Sequence, residues 1–260
     1  VSIHRTAVVE EGATIGADVV VGPFAYIAAG ATIGDGCQIG PHVTIYGFTT
    51  LGAASKVHAG AVLGDLPQDF GFEDGESFVR IGEGCVIREG VTVHRGSKPG
   101  TETVIGNRCM LMAFSHFAHN VQLEDDVIVA NGALIAGYVL VGARAFISGN
   151  VAVHQFVRIG RLVMLGGGAM ISKDVPPFCT VRPAMENGVG GLNVIGMRRA
   201  GIGAEDRSAV KAAFKLLYCT GLNVSQAQEQ LAEMFIDGPG REMHDFVSES
   251  KRGICGCSIV

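Results

Sequence analysis

Three histidines stand where chemistry is possible: His116 and His119 in the segment FSHFAHN, and His154 in AVHQF. An imidazole titrates near neutrality, so it can take and return a proton, and it also ligates metals. Eighteen residues after His119 comes Gly137, and eighteen after that comes Gln155. If that interval is a structural period, an imidazole, a backbone without a side chain and an amide lie in one column. The column then offers a general base, a backbone N–H that can meet an oxyanion, and a polar positioning group. A zinc site is the competing arrangement, with His116 and His119 three apart and His94 approaching from an earlier turn of the chain. No Walker loop, dinucleotide fingerprint or serine nucleophile elbow is present, and Gly166-Gly167-Gly168 falls where corners are expected.

The elements that would position these residues are written in a period of six. A branched or large apolar residue occupies every sixth position from Ile3 to Leu63 without a break. Of the 29 positions in this register between 3 and 171, 26 carry Ile, Val, Leu or Phe; the exceptions are Asp69, Gly75 and Pro99. Such a period fits neither an amphipathic helix nor an alternating strand. It is the signature of a hexapeptide-repeat parallel β-helix. In that class three hexads close a triangular coil, residues eighteen apart stack, and successive coils pair as strands about 4.8 Å apart. The sixth-position side chains fill the prism, and glycine often follows them at corners, as at Gly16, Gly34 and Gly52. The expected fold is therefore an all-β solenoid with nearest-neighbour stability. Its left-handed coil is implied by the class, against the usual crossover rule.

The solenoid is expected over residues 1–175, with loops at 65–80 and 97–103, where the repeat lapses and Pro, Gly and charge accumulate. Loops held on a rigid scaffold often line sites. Residues 176–260 form a connector and an α-helical tail. There, Glu205 to Thr220 places Val210, Phe214 and Leu217 on one face, with Gly221 as stop signal. Ser225 with Gln228 predicts a capping box for a second helix, and Pro239 to Arg252 a third.

The net charge of −5 is unevenly spread: residues 141–215 hold ten basic and four acidic residues, which suits an acidic partner or phosphate groups, or else a solvated face. No basic run interleaved with aromatics points to nucleic acid. Seven cysteines, an odd number without a CxxC pair, fit a reducing cytosol. Neither a leader segment nor an apolar run long enough to span a bilayer is expected. Cys257-Ser258-Ile259-Val260 matches a prenylation box, a weak four-residue pattern.

VEEGATIG, the PQD of the first loop, IREGVTVHRG, SHFAHN, AVHQF, KDVPPF and GLNVIGMRRAG, in this order, resemble the UDP-N-acetylglucosamine O-acyltransferases that begin lipid A synthesis. The likeness covers nearly the whole chain. The related N-acyltransferases carry an additional N-terminal domain, whereas hexads here begin at Ile3. The resemblance implies a cytoplasmic homotrimer with sites between neighbouring prisms, acting on a UDP-sugar and a 3-hydroxyacyl carrier protein without metal or cofactor, nucleic acid or membrane insertion. It also implies that His119 is the general base and Gly137 the oxyanion donor. Asp69, His116, His154, Gln155, Asn193 and Arg199 fall at its substrate contacts, with Arg199 suited to a diphosphate, and Gly167 falls where acyl length is set. For Asn193 and Arg199 the bland alternatives are a helix-start cap and an exposed charge. Three residues depart from the family pattern: Asn120 replaces an Asp beside the base, Tyr138 a His, and Gly71 a Lys. Changed donors on the sugar side leave N-acylation of a 3-amino sugar as an alternative, and a noncatalytic scaffold as another.

Overall fold

The computed structural model describes residues 1–257; the last three residues of the possible prenylation box lie outside the described residues. The chain forms a left-handed parallel β-helix whose three faces are sheets of twelve, nine and eight strands among the described residues. Most strands are only two residues long, because each hexad needs four residues to turn a corner. Their register is the eighteen-residue stack: Phe117 pairs with Ile135, Ile135 with Val153, and Val153 with Ile171.

Each hexad buries two residues rather than one. The sixth-position column (Ile27, Ile45, Phe117, Ile135) is joined by the residues two places earlier (Ala25, Val43, Ser115, Ala133), all at most 1% exposed. Small or β-branched residues suit this second column, which sits nearer the corner and has less room. Cys37, Cys85 and Cys109 belong to it, and all seven cysteines are free thiols. Each fully buried Ile or Leu contributes roughly 1.5–3 kcal/mol, so the repeated column carries much of the fold's stability.

Between Ile3 and Ile171 the repeat is interrupted at one corner only. Leu63 pairs with Val93, an offset of 30 residues, and Val93 pairs with Phe117, an offset of 24. The surplus residues leave the prism between Leu63 and Ile81 and between Val93 and Ile105. That is the corner at which His119 sits two coils and one coil higher, respectively. Both loops are shorter than expected, since Phe78–Ile81 and Glu102–Ile105 pair with each other as four-residue strands. Residues 78–80, 102 and 103 therefore belong to the sheet. Arg95 holds the first loop, donating to the carbonyl of Gly75 at 2.9 Å and lying over the rings of Phe48 and Phe72.

Beyond the last hexads, Cys179–Val181 pairs with Met164–Leu165, and Gly188–Leu192 then runs antiparallel to it. Four helices follow: α1 (Val194–Arg199), α2 (Ala204–Tyr218), α3 (Val224–Met234) and α4 (Gly238–Ser248). Val210, Phe214 and Leu217 form the buried face of α2, as the spacing predicts. The capping box of α3 is Asn223 with Gln226, not Ser225 with Gln228. Asn223 Oδ1 accepts from Gln226 N at 2.9 Å, and Gln226 Oε1 accepts from Asn223 N at 3.1 Å. α4 stops at Ser248 because the chain turns back to the prism, where Arg252 donates to the Ser172 carbonyl and Gly256 pairs with Gly188. Part of the basic excess serves this docking: Arg161 Nε reaches both oxygens of Glu242 at 2.7 and 2.8 Å, and Arg158 reaches Glu249 at 2.9 Å. Among the described residues no helix is long and apolar enough to cross a membrane.

Candidate active site

His119, Gly137 and Gln155 line one cleft of about 700 Å³, on the face carrying His116–Phe117, Leu134–Ile135, Ala152–Val153 and Met170–Ile171. This volume lies within the range of small-molecule sites. Asp69, His116 and His154 line the same cleft, so six of the nine expected site residues converge. The outward column His116, Leu134, Ala152 and Met170 gives the cleft an apolar floor leading from the histidines toward the helical end.

His119 is less open than a corner position implies: it is only 8% exposed. Asp69, delivered by the first loop, covers it, with Oδ2 at 3.5 Å from Nε2, and the ring of Tyr138 stands edge-on at 5.2 Å between centroids. Nδ1 lies 3.0 Å from Asn120 Oδ1. Asp69 is itself fixed by an Asx turn, accepting from Gly71 N at 2.9 Å.

Gly137 meets a requirement that no other residue type meets. A Cβ there would lie 2.6 Å from His119 Cε1 and 2.7 Å from Nε2. Its neighbours Ala136 and Tyr138 donate to Val153 and His119 in the ladder between coils, while the Gly137 N–H donates to no described residue. A free N–H beside an imidazole suits an anionic oxygen formed next to that base.

His116 Nδ1 lies 2.8 Å from Thr92 Oγ1, and its ring stands edge-on to His94 at 5.2 Å. Burial, with His94 adding to it, pushes the His116 imidazole down to about 4, so it is neutral at physiological pH. His94 Nδ1 donates to the carbonyl of Leu66, tying the first loop to the prism. All three histidines of the alternative zinc site thus spend Nδ1 on protein oxygens. Among the described residues no group of three His, Cys, Asp or Glu is arranged to hold a metal ion. His154 and Gln155 are exposed at the cleft edge.

Asn193 and Arg199 lie elsewhere on the chain, in a separate groove of about 970 Å³ that also includes Asp126, Arg144, Met164 and Ile195. Asn193 caps α1, accepting from Gly196 N at 2.8 Å, and donates to the Leu162 carbonyl at 2.9 Å. Arg199 is exposed in the last turn of α1. The six-residue α1 is too short for a periodicity signal. Gly167 lines neither cavity. It sits on the corner that precedes the cleft face, and a Cβ there would meet only the Gly149 carbonyl, at 3.6 Å.

Several cleft residues were not singled out by spacing, among them Leu134, Met170 and Glu186. Ser97, from the second loop, bonds both Asn120 and Tyr138. The signal available for Asn120 and Tyr138 was their own eighteen-residue column, one place after His119 and Gly137.

Residues 174–255 match the family model described as Udp N-acetylglucosamine O-acyltransferase, Domain 2, and residues 30–65 and 102–137 match the bacterial transferase hexapeptide model. An acyl-[acyl-carrier-protein]--UDP-N-acetylglucosamine O-acyltransferase of Paraburkholderia phymatum is 42% identical over 97% of this chain and 98% of its own. That of a Synechocystis strain is 46% identical over 68% of this chain and 64% of its own. The crystal structure of a UDP-N-acetylglucosamine acyltransferase from Bacteroides fragilis superposes with a TM-score of 0.91 at 35% identity, covering 97% of this chain and 99% of that one. With such likeness along the whole prism and its helical tail, the chain belongs to the UDP-N-acetylglucosamine O-acyltransferase family.

Proposed function

We propose that the cleft transfers a 3-hydroxyacyl chain from the thioester of acyl carrier protein to the 3-hydroxyl of UDP-N-acetylglucosamine, the first step of lipid A synthesis. The observation that carries this reading is the pairing of His119 with the free N–H of Gly137 at the end of an apolar floor. Nε2 of His119 takes the proton of the 3-hydroxyl as its oxygen attacks the thioester carbonyl. The carbonyl oxygen becomes an oxyanion held by the Gly137 N–H. Collapse of the tetrahedral intermediate breaks the carbon–sulfur bond, and the imidazolium returns its proton to the leaving thiolate. The neutral His116, with His154, Gln155 and Asp69, offers hydrogen bonds to the sugar and the pantetheine arm. The protein's own groups account for every proton, so direct transfer proceeds without metal or cofactor.

The working unit in this reading is a homotrimer. Arg199 and Asn193, suited to the diphosphate and nucleotide, lie in a different groove from His119, and a neighbouring prism supplies the juxtaposition one chain lacks. Gly167, with room for a side chain, sets acyl length in the same assembly. An acyl carrier protein donor places the enzyme in the cytoplasm. The test is purified protein incubated with UDP-N-acetylglucosamine or its 3-amino analogue and a panel of acyl carrier proteins, read by mass spectrometry. An ester product is expected; amide product alone would move the acceptor to the 3-amine, and no product with any pair would favour a scaffold.

A further inference from the structure

The carboxylate that the family pattern places beside the base is an amide here, and its orientation is fixed. Asn120 Oδ1 lies 3.0 Å from the backbone nitrogen of Ser97, which can only donate. The atom facing it is therefore the carbonyl oxygen, which removes the usual ambiguity between amide oxygen and nitrogen. That same oxygen is 3.0 Å from His119 Nδ1, so Nδ1 carries the proton and Nε2, facing the cleft, is left as the base. Ser97 Oγ donates to the same oxygen at 3.1 Å and lies 3.0 Å from Tyr138 Oη. With its own hydrogen given to Asn120, Ser97 Oγ accepts from the Tyr138 hydroxyl.

The chain of bonds is anchored throughout. Ser97 is 1% and Asn120 7% exposed, and the Asn120 N–H donates to Thr103 Oγ1 at 2.8 Å. Tyr138 is gripped from the far side by Phe156, stacked at 4.9 Å with 12° between ring planes. Asn120, Tyr138 and Phe156 all adopt positive φ at successive corners, which aligns their side chains along the prism edge.

We propose that Ser97 and Tyr138 are positioning residues for the transfer reaction, acting through Asn120 to hold His119 in its Nδ1–H tautomer without a carboxylate. The inference rests on His119 being the base. A neutral amide orients the ring as an Asp would, but supplies no negative charge to the imidazolium formed during transfer. The charge facing His119 comes instead from Asp69 on the loop; Tyr138 is the other titratable group in contact with it, and His116, His154 and Glu186 line the remaining cleft.

Asn120→Asp is the informative variant, because all three groups around Oδ1 are donors that a carboxylate also accepts, and the Asn120 amide nitrogen donates to no described residue. It should move the acidic limb of the kcat/KM profile upward by about one pH unit, since a new opposite charge favours the protonated ring. Asn120→Ala should lower kcat by about 10- to 100-fold, the range seen when the hydrogen-bond partner that orients a metal-bound imidazole is removed. Ser97→Ala and Tyr138→Phe should each lower kcat in the wild-type background, yet change nothing further in Asn120→Ala, because they act through the lost amide. An unmoved acidic limb in Asn120→Asp overturns the proposal, as does an additive loss in the double variants. If Asn120→Ala does not fold, the Asn120→Asp profile decides the amide contact, and an unchanged kcat in Ser97→Ala and Tyr138→Phe overturns the role of those two residues. An active His119→Ala enzyme would overturn the base assignment itself, whereas an inactive one with an unmoved limb overturns only this inference.

Discussion

Nε2 of His119 faces Oδ2 of Asp69 at 3.5 Å, although the two residues stand fifty apart in sequence and Asp69 belongs to a loop that leaves the prism two coils lower. The surroundings of His119 are thus built by two levels of structure. The stacked corners set the imidazole beside Gly137 and Asn120, and the inserted loops bring Asp69 to its Nε2 and Ser97 to the Asn120 oxygen that meets its Nδ1.

Gly137→Ala should abolish most activity while preserving the fold. The glycine does not use the left-handed region, so alanine is acceptable to its backbone, but the added methyl would sit 2.6 Å from the imidazole and push it out of line. A loss of kcat on the order of 10² or more, equal to that of His119→Ala, follows from misplacing a general base. Steady-state kinetics with circular dichroism melts check this; an active Gly137→Ala enzyme would remove the close packing of base and oxyanion donor from the mechanism.

The depressed His116 makes stability pH-dependent in a defined window. Its folded value of about 4 lies below the unfolded value of 6.5, so its contribution is complete above pH 6.5 and is lost as pH falls toward 4. The loss is on the order of 1–2 kcal/mol after discounting the part of the ring that solvent screens. Urea melts at pH 7 and pH 5 should show wild type losing more stability than His116→Gln; equal losses would mean that the half-buried ring is hydrated.

Asn193→Ala should weaken the tail and the proposed nucleotide contact. Removing the α1 cap costs about 0.5–2 kcal/mol, and the bond to the Leu162 carbonyl goes with it. A higher KM for the UDP-sugar with unchanged KM for the acyl carrier protein is the expected kinetic counterpart. An unchanged melting temperature would contradict the cap, and an unchanged KM the substrate contact.

Gly167→Met should fold normally and prefer shorter acyl chains. Its corner has space, with only the Gly149 carbonyl at 3.6 Å from a built Cβ. Each methylene kept out of the groove forfeits roughly 0.8 kcal/mol, so competition between long and short acyl carrier proteins should change by more than tenfold. A constant product ratio would place the end of the acyl groove at another residue, with Met170 on the cleft floor the next to test.

The period of six made the prism legible, because every sixth residue meets the same buried environment at each coil. It also placed His119, Gly137 and Gln155 in one cleft, since stacking converts sequence offset directly into distance. The second buried column escaped notice because Ala, Val, Cys and Ser at those positions mix small apolar and polar types and show no sharp hydropathy maximum. The burial of His119 was invisible for a different reason: Asp69 reaches it, and Ser97 reaches its partner Asn120, from loops whose paths no periodicity records. Asn193 caps and Arg199 ends a six-residue helix outside the repeat, in a groove that does not include His119, so no eighteen-residue offset relates them to it.

Both insertions emerge at a single prism edge, and the coils below and above close as though they were absent. Loop entropy grows slowly with length, by about 0.6 kcal/mol for each doubling, so that edge can accept longer, shorter or exchanged segments at little thermodynamic cost. The coiled core has no comparable freedom, because one added residue would rotate every later side chain out of register. Evolution, or a designer grafting loops between relatives, therefore has one inexpensive place to change what covers His119, and can do so without renegotiating the scaffold beneath it.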